Sequence, residues 1–131
     1  RDIALGLAKD GADIAICDVN LEAAQKTAGD IEALGRKSLA LKANVAASAD
    51  VTAMIDQVVE KFGRIDILVN NAGTGPASTT VLNSDERLWE TIMNLNLKGV
   101  YFTSQAVARV MKKQGGGRIV NIASVDGIKC Q

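Results

Sequence analysis

Apolar residues recur along this chain in two alternating rhythms. Short apolar runs closed by turn formers read as buried strands, and longer stretches with apolar residues three and four apart read as one-sided helices. The strand-like runs are Asp13 to Cys17, Ser38 to Ala43, Ile67 to Val69 and Arg118 to Ala123. Residues 3–9 are helical in character through Ile3, Leu5, Leu7 and Ala8, and Gly11 follows as a stop. Asn20 is placed to cap a helix over 21–34 that Gly35 ends. Ser48 is placed to cap a third helix, whose Val51, Ile55, Val58, Val59 and Phe62 follow the spacing of one buried face. Lys61 sits in its last turn and Gly63 closes it. A loop from Thr74 to Ser84 holds the only proline, Pro76. Ser84-Asp85-Glu86 then opens a long helix, with two carboxylates at its positive end, running with or without a break to about Lys113 and closing at Gly115-Gly116-Gly117. Asn96, deep in its apolar middle, reads as a kink or as a satisfied core amide.

Strands that alternate with helices predict parallel strands joined by right-handed crossovers, an α/β doubly wound sheet in one domain over residues 1–131. The middle strands are apolar on both faces, as a sheet covered by helices requires. In such sheets ligands sit beyond the carboxyl ends of the strands. The run Ile67-Leu68-Val69 ends in Asn70-Asn71-Ala72-Gly73, where Asn offers side-chain hydrogen bonds and Gly presents no Cβ. A ligand is expected to meet backbone at that corner.

Composition narrows the chemistry. Fifteen basic and fifteen acidic residues are interspersed, so no basic patch for nucleic acid or polybasic membrane segment stands out. No apolar run is long enough to span a bilayer. The two cysteines, Cys17 and Cys130, form no spacing motif, which points to a reducing, cytoplasmic setting. The chain has no histidine, so a Ser-His-Asp triad, a Cys-His pair and a His-ligated metal are impossible within it, and no metal site is expected.

Five short motifs stand in register: Asp18 after the first strand, Asn44-Val45 after the second, and Asn70-Asn71-Ala72-Gly73 after the third. Asn96-Leu97-Lys98-Gly99 and Gly117-Arg118-Ile119-Val120-Asn121-Ile122-Ala123-Ser124 complete the set. With them the chain resembles the short-chain dehydrogenase/reductase superfamily, nicotinamide-dependent oxidoreductases of Rossmann type. The resemblance implies an enzyme (EC 1.1.1.-) that interconverts a secondary alcohol and a ketone by hydride transfer. Asp18 would accept from the adenosine ribose hydroxyls and repel a 2′-phosphate, and neither Val19 nor Asn20 is an arginine, which favours NAD over NADP. Asn44-Val45 matches the family's Asp-Val pair at the adenine, with an amide in place of the carboxylate. Asn71, Ala72 and Gly73 would pass close to the cofactor. Ser124 would hydrogen-bond the substrate oxygen, and Asn96 would hold a water in the proton relay.

The family's Tyr-x-x-x-Lys pair is not matched: the only tyrosine, Tyr101, has Gln105 four residues on and reads as a core aromatic. The glycine-rich turn and the central strand before it would precede Arg1. The resemblance therefore implies a fragment truncated at both ends, a partial NAD(P)-binding Rossmann domain lacking its first and C-terminal strands and inactive alone. A small-molecule alcohol or ketone is the expected partner. Apolar residues on more than one face of the long helix (Trp89, Met93, Val107, Met111) suit a homodimer or homotetramer, or ordinary packing on the sheet. The alternative to an enzyme is a non-catalytic dinucleotide-binding or redox-sensing module.

Overall fold

A computed structural model describes residues 1–76 and 80–125. Part of the predicted loop after Pro76, Cys130 and the segment after Val125 lie outside the described residues. The elements in order are α1 (Asp2–Lys9), β1 (Ile14–Asp18), α2 (Leu21–Ala33), β2 (Ser38–Lys42), α3 (Ser48–Phe62) and β3 (Ile67–Asn70). A 3₁₀ turn (Val81–Asn83), α4 (Glu86–Met93), a π turn (Asn94–Gly99), α5 (Val100–Gln114) and β4 (Arg118–Asn121) follow. Two compact units result: Arg1–Asn44 with Ala49–Gly63, and Val45–Ser48 with Arg64–Gln131.

In the first unit, β1 and β2 pair in parallel, from Ile14 opposite Ser38 to Asp18 opposite Lys42. Helix α2 lies against both strands. Ile31, fully buried, meets Ala8 of α1 and Ile14 of β1 in the core. Asn20 caps α2 as its sequence position predicts: Oδ1 accepts from the Ala23 N–H at 3.2 Å. Gly11 and Gly35 follow their helices with φ of 100° and 78°, conformations that a side chain resists. Helix α3 buries Val51, Met54, Ile55 and Val58; of the stripe that its spacing predicts, Val59 and Phe62 are only half-buried, and Met54 joins it.

In the second unit, β3 and β4 pair in parallel, from Ile67 opposite Arg118 to Asn70 opposite Asn121. Helix α5 packs on β3 and buries Thr103, Val107 and Met111, one helical face. Asp85 caps α4 by accepting from the Leu88 N–H at 2.7 Å. The long predicted helix is interrupted where its sequence reads Asn-Leu-Asn-Leu-Lys-Gly, and the backbone there widens into a π turn. Helix α5 closes at Gly115, φ 96°.

Two expectations fail. Tyr101 is not a core aromatic: it is 60% exposed and stacks edge-on against Phe102, ring centres 5.2 Å apart. The buried face of α5 runs through positions 103, 107 and 111, and a residue two places before Thr103 points the other way. The strands β3 and β4 are apolar but not covered on both faces. All of β4 is exposed, Val120 at 45%, because α5 is the helix that packs on this pair among the described residues. No strand joins the β1–β2 pair to the β3–β4 pair among those residues.

Candidate functional site

The carboxyl end of β3 is built by side-chain amides. Asn70 and Asn121 close the two paired strands in register. The Asn70 Nδ2 donates both its hydrogens, to Asn121 Oδ1 at 2.8 Å and to Ser104 Oγ of α5 at 2.9 Å. The Ile122 N–H extends the ladder by donating to the Asn70 carbonyl at 2.9 Å. Both strand ends and the helix are thus tied together just before the Asn71-Ala72-Gly73 corner and just before Ser124. Ser124 itself is exposed beyond the end of β4.

Asn96 reaches the same corner from the π turn. Its Oδ1 accepts from the Thr74 N–H at 2.9 Å, and its Nδ2 donates to the Thr74 carbonyl at 2.6 Å. A carboxamide carries a donor and an acceptor side by side, so it can close a two-bond ring on one residue's backbone. The predicted kink is present as the π turn, but the side chain is no core amide. Asn96 is exposed and is a clamp on the loop after Gly73. Gln114 does the same at the opposite end of the strands, accepting from the Ile65 N–H at 3.1 Å and donating to the Ile65 carbonyl at 2.7 Å.

The glycines of this region differ in what they need. A methyl at Gly73 would meet Asn96 Oδ1 at 3.5 Å, ordinary contact, so the chain itself leaves room there. Gly99, last in the π turn, is buried, and a methyl would stand 3.2 Å from the Val45 carbonyl oxygen. Val45, half-buried, is thereby seated against the π turn.

The remaining candidates lie in the first unit. Asp18 is exposed at the end of β1. Its Oδ1 accepts from the Asn20 N–H at 2.9 Å, the turn-forming role open to any aspartate, and its second oxygen takes no hydrogen bond from the described residues. A cleft of about 390 Å³ beside it is lined by Ala4, Ile16, Ala23 and Thr27. The Asn44 N–H donates to Asp50 Oδ2 at 2.9 Å, which fixes the start of the Asn44-Val45 turn. Burial, then the charge of Asp18, pushes the neighbouring Cys17 thiol up from its ordinary value. A second cleft, about 420 Å³, lies at the amino ends of β3 and β4 among Arg64, Asp66, Gln114 and Arg118, away from every candidate residue.

Sequence reasoning missed the Asn70–Asn121–Ser104 network, the Gln114 clamp and the crowding at Gly99. Only the first left a signal: Val-Asn recurs at Val69-Asn70 and Val120-Asn121, and parallel pairing in register brings such positions together.

The family model described as short chain dehydrogenase matches residues 1–131. The 2-dehydro-3-deoxy-D-gluconate 5-dehydrogenase of Escherichia coli (strain K12) is 44% identical over 126 residues, 95% of this chain and 49% of that protein. The 3-oxoacyl-(acyl-carrier-protein) reductase FabG of Staphylococcus aureus (strain N315) is 39% identical over 128 residues, 97% of this chain and 52% of that one. Among solved structures, an NAD+-bound xylitol dehydrogenase superposes with a TM-score of 0.93 at 35% identity, covering 98% of this chain and 49% of its own. A 7 alpha-hydroxysteroid dehydrogenase complexed with NADH and 7-oxo glycochenodeoxycholic acid gives 0.93 at 31%, covering 99% and 50%. The chain spans about half the length of the curated relatives it matches.

Proposed function

The chain belongs to the short-chain dehydrogenase family, and from that premise we propose that the whole protein is an NAD-preferring oxidoreductase of a secondary alcohol and its ketone. The observation that carries this reading is the two-bond clamp of Asn96 on Thr74, which fixes the Asn71-Ala72-Gly73 corner at the carboxyl end of β3. The chain leaves room for a methyl at Gly73, and that space is open to a group approaching from outside.

The residues present fit a nicotinamide dinucleotide. The free oxygen of Asp18 accepts from the adenosine ribose hydroxyls and disfavours a 2′-phosphate, which supports NAD over NADP. Asn44 and Val45 line the adenine end, and Asn71, Ala72 and Gly73 the nicotinamide end. The dinucleotide supplies or accepts the hydride. Ser124 donates to the substrate oxygen and holds it in place. Asn96 is the residue assigned to the relay water, with its side chain engaged on Thr74. Tyr101 has no part in the proton transfer, being exposed beside Phe102 with Gln105, not lysine, one turn on.

The reading takes residues 1–131 as part of one dinucleotide-binding domain in a cytoplasmic homodimer or homotetramer. The exposure of Trp89, at 59%, and of Leu97 and Tyr101 supports a subunit contact along α4 and α5. NADH-linked turnover by the full-length protein over a ketone panel tests the proposal. We expect turnover with NADH above NADPH, and a loss of roughly a hundredfold or more in Ser124→Ala. Full activity in Ser124→Ala would remove that residue's role, and no turnover with either cofactor would refute the enzyme.

A further inference from the structure

The π turn makes two separate grips within one short segment. Asn96 holds the backbone of Thr74 through two hydrogen bonds. Gly99 holds nothing but lets Val45 come close: a Cβ there would lie 3.2 Å from Val45 Cγ2, 3.2 Å from its carbonyl oxygen and 3.4 Å from its carbonyl carbon. Two of those three atoms are main chain, so a side-chain rotation of Val45 does not relieve the contact. Gly6 and Gly29, also within helices, have nothing within 4 Å. Gly99 has φ −59° and ψ −47°, ordinary helical angles that alanine adopts more favourably. Glycine in a helix costs about 0.5–1 kcal/mol relative to alanine. Backbone freedom is therefore not what the position needs; closeness to Val45 is. In a regular α-helix, residues three apart stack on one face. The wider π turn spreads Asn96 and Gly99 around the axis, so the two grips reach different loops.

We propose that the π turn Asn94–Gly99 is a spacer that sets the separation of the Val45 turn from the Gly73-Thr74 corner, and that Gly99 is the positioning residue for the adenine end of the cofactor site. This deepens the dinucleotide reading above and rests on it. Asn96 governs the nicotinamide-end loop and Gly99 the adenine-end loop, and the rigid turn between them matches their spacing to one dinucleotide.

The test measures binding of NADH, adenosine monophosphate and nicotinamide mononucleotide to the full-length protein, with thermal melts alongside. Overpacking of this kind perturbs a site by about 1–3 kcal/mol, so Gly99→Ala should weaken adenosine monophosphate roughly tenfold while leaving nicotinamide mononucleotide within about twofold. Asn96→Ala should show the reverse pattern. Val45→Ala in the Gly99→Ala background removes Cγ2 and should restore part of the lost affinity. If Gly99→Ala does not fold, the double variant is compared with Val45→Ala alone, so that the lost Val45 side chain is common to both and only the added Cβ differs; the double variant should bind adenosine monophosphate more weakly. Unchanged adenosine monophosphate binding in Gly99→Ala, or in the double variant relative to Val45→Ala, overturns the spacer. Equal weakening of both fragments overturns it too. Wild-type protein that binds no dinucleotide overturns the functional reading itself, and the spacer with it.

Discussion

Replacing Asn96 separates a loop clamp from a general prop. The side chain makes two hydrogen bonds to the backbone of Thr74, at 2.9 and 2.6 Å, and both residues are exposed. Each such bond contributes about 0.5–1.5 kcal/mol net, and water replaces part of it at an exposed site. The local loss in Asn96→Ala is therefore about 1 kcal/mol, a fivefold rise in opening of the Thr74 amide. The same substitution exchanges a poor helix former for the best one, which returns about half a kcal/mol globally. The melting temperature should barely move while the Thr74 amide exchanges about fivefold faster. Asn96→Asp is more telling. A carboxylate still accepts from the Thr74 N–H but sets an anionic oxygen against the Thr74 carbonyl in place of a donor. Protonation restores the donor, so the new carboxyl should titrate above its ordinary value. The Asn96→Asp loop should thus be well clamped at low pH and released as pH rises through that value. Amide exchange of residues 71–76 in the full-length protein, measured across pH, reads this directly. Equal Thr74 exchange in wild type and Asn96→Ala, or a pH-independent Asn96→Asp loop, would refute the clamp.

Two further substitutions probe what holds the site in place. A methyl at Gly117 would lie 2.4 Å from Met111 Sδ and 2.5 Å from its Cγ, inside the buried face of α5. Gly117→Ala should cost about 1–3 kcal/mol in denaturant unfolding. Most of that cost should vanish in a Met111→Ala background, and a cost equal in both backgrounds would place the strain elsewhere. Burial and then Asp18 raise the Cys17 thiol, so its contribution to stability is complete below the ordinary thiol value. That contribution is lost as pH rises from there to the folded value. Wild type should therefore lose stability faster than Cys17→Ala as pH rises above the ordinary thiol value of about 8.5, and identical slopes would count against the assignment.

Most of the element order was legible because it rests on local causes. Asn20 and Asp85 cap helices where a short polar side chain precedes an apolar stripe, and Gly11, Gly35 and Gly115 end them in conformations open to few other residues. The strand runs and their parallel pairing followed from alternation with helices. Tyr101 was misread because apolar composition near the middle of a helix does not say which side faces the core. The uncovered face of β4 was invisible for a similar reason: an apolar run states what a strand would bury, not what lies over it.

The candidate site divides along the same line. By itself the sequence determined which residue types stand at the strand ends, and so named Asp18, Asn44, the Asn71–Gly73 corner and Ser124 as candidates to meet a ligand in this fold. Only the tertiary structure decided how they are held. Asn96 clamps Thr74 across 22 positions, Asn70 ties to Ser104 across 34 and to Asn121 across 51, and Gln114 clamps Ile65 across 49. Such bonds depend on separations that no local pattern encodes, and the approach of Gly99 to Val45 depends on packing, which has no periodicity to read.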